Sequence, residues 1–206
     1  MSFSSDLKAE LNAIKPSDDC SAFVEFFGML KFRGSMLLKK EQELNRVFFI
    51  ISTGNPTVAR RVHHLLKEIK HASIQTSYTI NPYLSNSKSY QITISFIKSK
   101  LHIPFLEKGG IFHWNPYDLI RNDSAYFSEF LRGVFFVSGY IVDPKNAYHF
   151  EILEKDGSQN IEKIRKIMYN ILRVKAGITE HKKGMKLYLK KSNDIISMLE
   201  LMGSKV

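Results

Sequence analysis

The chain has 206 residues, of which 44% are hydrophobic and 12% aromatic, so it can bury a substantial core. No apolar run is long enough to span a membrane, the N-terminus lacks the pattern of a signal peptide, and a lone cysteine, Cys20, excludes an internal disulfide, which together predict a cytoplasmic protein. The formal net charge of +10 favours an acidic partner, most commonly nucleic acid or an anionic membrane surface.

The first half of the chain is predicted to form two helices, a hairpin, a third helix and a second hairpin. The second helix, about Ser21 to Phe32, is apolar nearly all round and is therefore expected at the centre of the molecule. Gly34 is expected to end it in the usual C-terminal role of glycine. The other predicted elements are a helix ending near residue 14, strands at about 35–39 and 46–52, a helix at 57–71, and strands at 74–80 and 89–97.

Residues 99–122 contain several proline and glycine breaks and are interpreted as a connector. The same order of elements then begins again. It comprises an apolar helix at about 123–137, strands at 140–142 and 147–153, a helix at 158–172, strands at 177–182 and 185–190, and a final helix at 193–201. We therefore divide the chain into an N-terminal helix with a first repeat (1–98), a connector (99–122) and a second repeat (123–206).

Two pairs of glycines mark the repeat. Gly28 and Gly34 lie six residues apart in the first central helix, and Gly133 and Gly139 have the same spacing 105 positions later. A glycine inside a helix costs about 1 kcal/mol relative to alanine, which a close crossing of the two helices would explain. The alternative is that the glycines are incidental. The pattern predicts an α+β fold of two tandem αββαββα-type repeats, related by pseudo-two-fold symmetry, with the helices on one face of curved antiparallel sheets.

Positive charge is concentrated in two stretches. Residues 163–191 contain ten lysines and arginines but only one acid, Glu180. Residues 60–100 contain seven lysines and arginines and again only one acid, Glu68. The plain alternative is a solvated surface, but one-sided clustering in two separate stretches is more than solubility needs.

The two glycine-marked helices resemble the paired motif helices of LAGLIDADG homing endonucleases. The copies are residues 26–34 and 131–139, in which glycine occupies the third and ninth letters. The motif's first aspartate position holds Lys31 in one copy and Phe136 in the other. The resemblance implies that four-stranded sheets follow each helix and form a saddle along the major groove of DNA.

A more specific resemblance, to the WhiA family of bacterial DNA-binding regulators, covers essentially the whole chain. It is carried by the opening residues 2–11, by residues 130–139 with Asp143-Pro144 and 148–151 after them, and by 188–190 before the last helix. It implies a regulator tied to cell division, chromosome segregation or sporulation. The family carries a C-terminal helix-turn-helix domain after this region, and residues 1–206 stop where the resemblance places its start, which implies either a truncated chain or loss of that domain.

DNA cleavage in this fold requires an acid from each motif to hold divalent metal. The resemblance places Arg33 and Ser138 at these two positions, so we expect no nuclease activity. The nearby acids Glu25 and Glu129 are two turns away and are expected to be caps or surface residues. No motif for a metal, a cofactor or a small-molecule substrate is present in the sequence.

Strand alternation supplies candidates for contact with DNA, since successive side chains point to opposite faces. The candidates are Gln75, Ser77 and Thr79, then Gln91, Thr93 and Ser95, and in the last hairpin Lys182, Lys183, Lys186, Tyr188 and Lys190. The alternative is a sheet that is simply polar on its wet side. Residues 47–51 are apolar on both faces, which indicates that this part is covered by another domain or by the N-terminal helix.

The expected function is that of a non-catalytic DNA-binding regulator whose partner is double-stranded DNA. The alternative is an interaction scaffold that positions the helix-turn-helix domain or docks a transcription or division partner, with the charge only assisting. No membrane partner is expected under either interpretation.

Overall fold

The structure, a computed structural model, describes residues 2–41, 44–69, 72–81, 87–97, 116–155 and 157–205. The first half contains α1 (Phe3–Asn12), α2 (Asp19–Arg33), β1 (Gly34–Glu41), β2 (Leu44–Thr53), α3 (Pro56–Glu68), β3 (Ala72–Asn81) and β4 (Ser87–Ile97). The second half contains α4 (Pro116–Ile120), α5 (Ser124–Ser138), β5 (Gly139–Ile141), β6 (Phe150–Glu154), α6 (Gln159–Leu172), β7 (Gly177–His181), β8 (Gly184–Leu189) and α7 (Ser192–Leu201). The predicted α+β class and the repeated order of helix, two strands, helix, two strands are confirmed.

The region interpreted as a connector is described only in part. Residues 99–115 lie outside the described residues, as do 70 and 71 at the end of the third predicted helix. Within the described remainder, residues 116–120 form the short helix α4, which the sequence reading missed. None of the helices in the described ranges has the length and apolar character needed to cross a membrane.

The main helices begin where side chains accept hydrogen bonds from otherwise free backbone N–H groups. Asp18 accepts from the N–H of Ser21 at 2.7 Å ahead of α2, and Asn55 accepts from the N–H of Thr57 at 2.8 Å ahead of α3. Asp123 accepts from two N–H groups in the first turn of α5. The two central helices, α2 and α5, therefore start from equivalent aspartate caps, 105 residues apart.

Each repeat contributes one four-stranded antiparallel sheet. The first sheet has the order β1-β2-β4-β3 and the second has the order β5-β6-β8-β7, so the two repeats share one topology. In the first sheet Phe49 pairs with Ile94 and Ile51 with Ile92, and all four side chains are buried against the helices. The opposite face of each sheet points away from the helices and is called the outer face.

The strand predicted at 147–153 begins later, at Phe150. Asp143 starts a turn in which its carbonyl oxygen accepts from the N–H of Asn146 and its carboxylate accepts from the N–H of Lys145. This turn chemistry holds the backbone out of the strand as far as His149, whose carbonyl oxygen accepts from Val142.

The central helices cross at the two interior glycines. A Cβ on Gly28 would overlap the carbonyl oxygen of Phe130, and a Cβ on Gly133 would overlap that of Glu25. The two contacts are reciprocal, because Phe130 lies 105 positions after Glu25, just as Gly133 lies 105 positions after Gly28. The crossing therefore lies on the pseudo-two-fold axis, and its closeness explains why helix stability is given up at both positions.

The glycines that end these helices are not in the left-handed conformation common at helix C-termini. Gly34 has φ −95° and ψ 161°, which is extended backbone that any residue adopts. A Cβ there would lie 2.7 Å from the Cα of Leu30, and Gly139 has the equivalent relation to Phe135. The requirement is for space where the chain turns from helix to strand, so the two helices end at Gly34 and Gly139 as predicted, but without the left-handed backbone that is usual for glycine at this position.

The core is continuous and is built around the central helices. Phe23, Phe26 and Met29 of α2 are fully buried, as predicted for a helix that is apolar nearly all round. Phe130 and Phe135 of α5 are fully buried as well. Burial of each such side chain contributes roughly 1.5–3 kcal/mol, so the interface between the repeats is a large part of the folding free energy.

A buried ion cluster, formed by Glu25, Arg61, Glu129 and Arg132, lies beside the crossing. Arg61 donates to both carboxylate oxygens of Glu25 at 2.6 Å, and Arg132 donates to Glu25 at 3.1 Å and to Glu129. The expectation that Glu25 is a cap or surface residue is wrong, because its side chain is completely buried. Glu129 is also mostly buried, and burial raises the pKa of its carboxyl although Arg132 pulls it down.

The cluster ties the chain's two ends to its centre. Arg61 also donates to the carbonyl oxygens of Asn12, the last residue of α1, and of Ile14 beyond it, and Arg132 donates to that of Met202, after α7. The nitrogens of Arg61 and Arg132 that do not bind a carboxylate therefore donate to backbone carbonyl oxygens, as buried guanidinium groups require.

Candidate nucleic-acid interface

The ends of the two central helices lie together beside a pocket of about 330 Å³. We call it the basic pocket, since its only charged lining residues among those the structure describes are Lys8 and Arg33. Its other lining residues are Ser52, Thr53, Gly54, Asn55, Val58, Ser89, Phe136 and Val137. Arg33, at one of the two positions that the resemblance assigns to metal-binding acids, thus lines a cationic pocket, and Ser138, at the other, directly follows the lining residue Val137.

This pocket does not fit a divalent cation. Arg33 carries a positive charge and Ser138 is a half-buried hydroxyl, so neither supplies the carboxylate oxygens that magnesium needs. Within the described ranges, no group of three His, Cys, Asp or Glu side chains is arranged to hold a metal ion.

Lys8 reaches the basic pocket from α1. Its ammonium nitrogen donates to the carbonyl oxygen of Gly139 at 2.8 Å and lies 5.2 Å from the centre of the Phe135 ring. Burial, with a smaller contribution from the charge of Arg33, lowers the pKa of Lys8 to about 8. The sequence analysis missed this residue, because nothing in the sequence of α1 shows that the side chain of Lys8 reaches the end of α5.

The first sheet presents a polar outer face on the side away from the helices. Residues opposite each other on antiparallel strands share a face, so the ladder places Gln75 beside Thr93 and Ser77 beside Gln91. Gln75, Ser77, Thr79 and Gln91 are exposed, while Thr93 and Ser95 are half-buried. The six predicted candidates of this sheet therefore lie together on one surface.

On β3 the side chains of both faces are exposed, because β3 is an edge strand. Tyr78 is 63% exposed although it alternates with Ser77 and Thr79. Thr76 lies on the helix side, where its hydroxyl is 2.7 Å from the imidazole of His63.

The apolar stretch of β2 contributes to both faces of the first sheet. Phe49 and Ile51 are buried in the core, whereas Phe48 and Ile50 are half-buried and lie opposite Ser95 and Thr93. The outer face is therefore polar toward β3 and more apolar toward β2. The side chain of Val47 lies outside the described residues.

The outer face of the second sheet carries a charge cluster. Lys186 donates to both carboxylate oxygens of Glu151 at 2.8 Å, and His149 lies 3.1 Å from the same carboxylate. Burial pushes the pKa of Glu151 up, but the hydrogen bonds from Lys186 and His149 outweigh it and lower the pKa. Lys186 is therefore neutralised locally, unlike the other predicted lysines of this hairpin.

The remaining candidates of the last hairpin are accessible. Lys182 and Lys183 are exposed in the turn between β7 and β8, and Lys190 is exposed just after β8. Tyr188 is half-buried, with its ring stacked on His149 and under the ammonium of Lys190. Lys190 and Tyr188 thus extend the outer face beyond the Lys186–Glu151 pair.

The helix side carries positive charge too. A separate cleft of about 550 Å³ lies along α6 and the segment after it. It is lined by Arg165, Lys166, Tyr169, Asn170, Val174, Lys175 and Ala176. Arg165 is paired with Glu162 at 2.8 Å, which reduces the free charge of this cleft.

The comparisons with known proteins agree with this geometry. Residues 127–206 match the family model described as the WhiA LAGLIDADG-like domain. Proteins named "Probable cell division protein WhiA" are similar over nearly the whole chain: one from Staphylococcus epidermidis is 30% identical over 98% of it, and one from Staphylococcus aureus is 31% identical over 98%. The chain spans 63% of the length of both relatives.

Solved structures share the fold. Full-length WhiA from Thermatoga maritima matches all of the chain and 63% of its own length, with a TM-score of 0.76 and 23% identity. The homing endonuclease I-WcaI, solved bound to its DNA recognition sequence, matches 96% of the chain and 85% of its own length, with a TM-score of 0.57 and 12% identity. The predicted fold is thereby confirmed, and the resemblance of this chain to WhiA proteins is confirmed over nearly its whole length; the positions that the resemblance assigns to metal-binding acids hold Arg33 and Ser138.

Proposed function

We propose that this chain is a non-catalytic DNA-binding domain of a WhiA-type transcriptional regulator, acting in cell division, chromosome segregation or sporulation. The observation that carries the proposal is the basic pocket. Where a nuclease of this fold needs two carboxylates, this chain has Arg33, which lines the pocket with the half-buried Lys8, and Ser138, which follows the lining residue Val137. Arginine, lysine and serine side chains can bind phosphate but cannot organise a metal-bound water to attack it.

The outer faces of the two sheets supply the rest of the proposed interface. Glutamine, serine and threonine on the first sheet can contact base edges or phosphates, and the exposed lysines of the last hairpin can contact phosphates. Affinity then comes chiefly from the release of counterions from the DNA backbone, in keeping with the net charge of +10.

Cleavage is tested with supercoiled plasmid in the presence of magnesium or manganese. We expect no nicking above a buffer control. Nicking that tracks the purified chain through a final column and disappears with chelator would overturn the non-catalytic assignment.

Sequence discrimination by this chain is expected to be weak. The exposed helices of the described structure carry lysines and arginines suited to phosphates, and the central helices are buried. In competition titrations at fixed salt, we expect a promoter to be preferred over random duplex by much less than the roughly thousandfold minimum typical of specific binders.

A scaffold function is the second candidate, and two observations favour it. Lys186 is neutralised by Glu151, and Phe48 and Ile50 place half-buried apolar side chains on the outer face of the first sheet. Such a surface can dock a protein partner or a helix-turn-helix domain. Failure of the chain to bind duplex DNA at low salt would favour this function over DNA binding.

A further inference from the structure

The basic pocket combines two cations with hydroxyl groups and has no carboxylate among its described lining residues. Neither Lys8 nor Arg33 has an ion-pair partner within the described part of the chain. The acids of the central helices, Glu25 and Glu129, are already engaged by Arg61 and Arg132. The cations of the pocket therefore have unused capacity to bind an anion.

The donors that remain match a tetrahedral phosphate. Lys8 uses one of its three N–H bonds on Gly139, and Arg33 has five in a planar fork. Ser52 and Ser89 add hydroxyls from two neighbouring strands. Asn55 places the start of α3, whose dipole favours negative charge, on the same wall.

The pocket is continuous with the outer face of the first sheet. Ser52 pairs with Gln91, which pairs with Ser77, so these three residues form one cross-strand row. Ser89 begins the next row, opposite Thr79. A phosphate in the pocket would therefore be adjacent to the polar surface that we assign to DNA.

We propose that the basic pocket is a metal-free phosphate site, in which Lys8 and Arg33 together hold a phosphate group of the backbone of duplex DNA. This inference rests on the proposed DNA-binding function for the source of the phosphate, but the pocket's affinity for phosphate stands separately. Lys8 is a binding residue in this scheme, and its hydrogen bond to Gly139 orients the ammonium toward the pocket.

The test compares Lys8→Met, Arg33→Gln and the conservative Lys8→Arg with wild type. Lys67→Gln is the matched control, because Lys67 is an exposed lysine on α3 that does not line this pocket. Binding to a duplex is measured over a range of salt concentrations. Each lost phosphate contact should lower the log–log salt slope by roughly 0.9, and we expect that loss for Lys8→Met and Arg33→Gln but not for Lys8→Arg or Lys67→Gln.

Inorganic pyrophosphate is the second probe, followed through the melting temperature and by calorimetry. We expect it to stabilise wild type and not Lys8→Met. Suppose that pyrophosphate binds wild type but not Lys8→Met, while the salt slope of duplex binding is the same in wild type and the variants. The pocket then binds a free phosphate, and the proposal that it holds a phosphate of the DNA backbone is overturned. If both probes bind the variants as they bind wild type, the phosphate site itself is overturned.

Melting without ligand separates binding from a purely structural role. If Lys8 serves only to cap the end of α5, Lys8→Met should lower the melting temperature and leave both probes unaffected, which contradicts the proposal. We expect an unchanged or higher melting temperature, since the methionine keeps the packing of the stem and removes a partly desolvated charge. A wild-type chain that binds pyrophosphate but no duplex would reject the proposed function and retain the pocket.

Discussion

Two pairs of cationic side chains lie beside the central helices and differ in what surrounds them. In the buried ion cluster, Arg61 and Arg132 converge on Glu25, and their other donors reach backbone carbonyl oxygens. In the basic pocket, Lys8 and Arg33 face hydroxyl groups and open space. The comparison shows that the cations that hold the repeats together are paired with carboxylates, whereas those lining the basic pocket have no carboxylate partner among the described residues and leave room for an anion.

The largest effect is expected from breaking the buried ion cluster. Glu25→Gln leaves the buried guanidinium of Arg61 without a carboxylate and that of Arg132 with Glu129 alone, and removal of one partner of such a pair costs about 3–5 kcal/mol. The free energy of unfolding, measured by urea titration, should fall accordingly. Glu162→Gln, which breaks the solvent-exposed pair with Arg165, is the control and should change it by about 0–1 kcal/mol. Equal effects of the two variants would contradict a structural role for Glu25.

The next effect concerns the helix crossing beside this cluster. The methyl group of Gly133→Ala would overlap the carbonyl oxygen of Glu25, which is backbone and cannot move aside without shifting α2. We expect a loss of about 1–3 kcal/mol in unfolding free energy, in spite of the better helix propensity of alanine. Asn170→Ala, on the exposed face of α6, should be near neutral. A stabilised Gly133→Ala would show that the helices do not cross this closely.

The exposed lysines of the last hairpin should affect binding rather than stability. Replacing Lys182, Lys183 and Lys190 with glutamine should weaken duplex binding about equally for all sequences and lower the salt slope by roughly 0.9 per contact. Lys186→Gln should have less effect on the slope than any one of these, since Glu151 already neutralises that lysine. A slope unchanged in the folded triple variant would remove the hairpin from the interface.

A smaller effect is expected from pH. Lys8 has a lowered pKa of about 8, and the only other titratable side chain lining its pocket among the described residues is Arg33, which stays charged. A bound phosphate stabilises the ammonium, so duplex affinity should be full below pH 8 and fall by up to about tenfold per pH unit above it. The stability of the free chain should instead rise as pH passes upward through 8, because the folded state loses this proton before the unfolded state does.

Binding measured between pH 7 and 9 checks this prediction. Lys8→Arg is the control, since arginine keeps its charge throughout that range. An identical pH dependence in wild type and Lys8→Arg would show that Lys8 does not contact the phosphate.

The elements and the repeat could be predicted from sequence because they depend on local signals. Apolar periodicity, the aspartate caps and the spacing of Gly28 and Gly133 are all properties of short segments. The crossing of the central helices followed from the glycines, since little else justifies their cost in a helix. The orientation of Gln91 and Thr93 followed from alternation along one strand.

The ion cluster and the basic pocket could not be predicted, because their members come from distant segments. In the sequence, Arg61 is one of several basic residues on an amphipathic helix, and Glu25 is a single acid on an apolar helix, so nothing pairs the two residues. A buried acid on an otherwise apolar helix was the available signal, since such a group needs a cationic partner. Lys8 and Arg33 lie on different helices and line one pocket with the end of α5 only in the folded chain.

The central claim is that the chain binds duplex DNA through its phosphates and does not cut it. The most direct test titrates the wild-type chain into a duplex at several salt concentrations without divalent metal. We predict measurable binding at low salt, with the logarithm of the association constant falling linearly against the logarithm of salt concentration by about 0.9 per phosphate contact. Absence of binding at low salt, or an affinity independent of salt, would contradict the account.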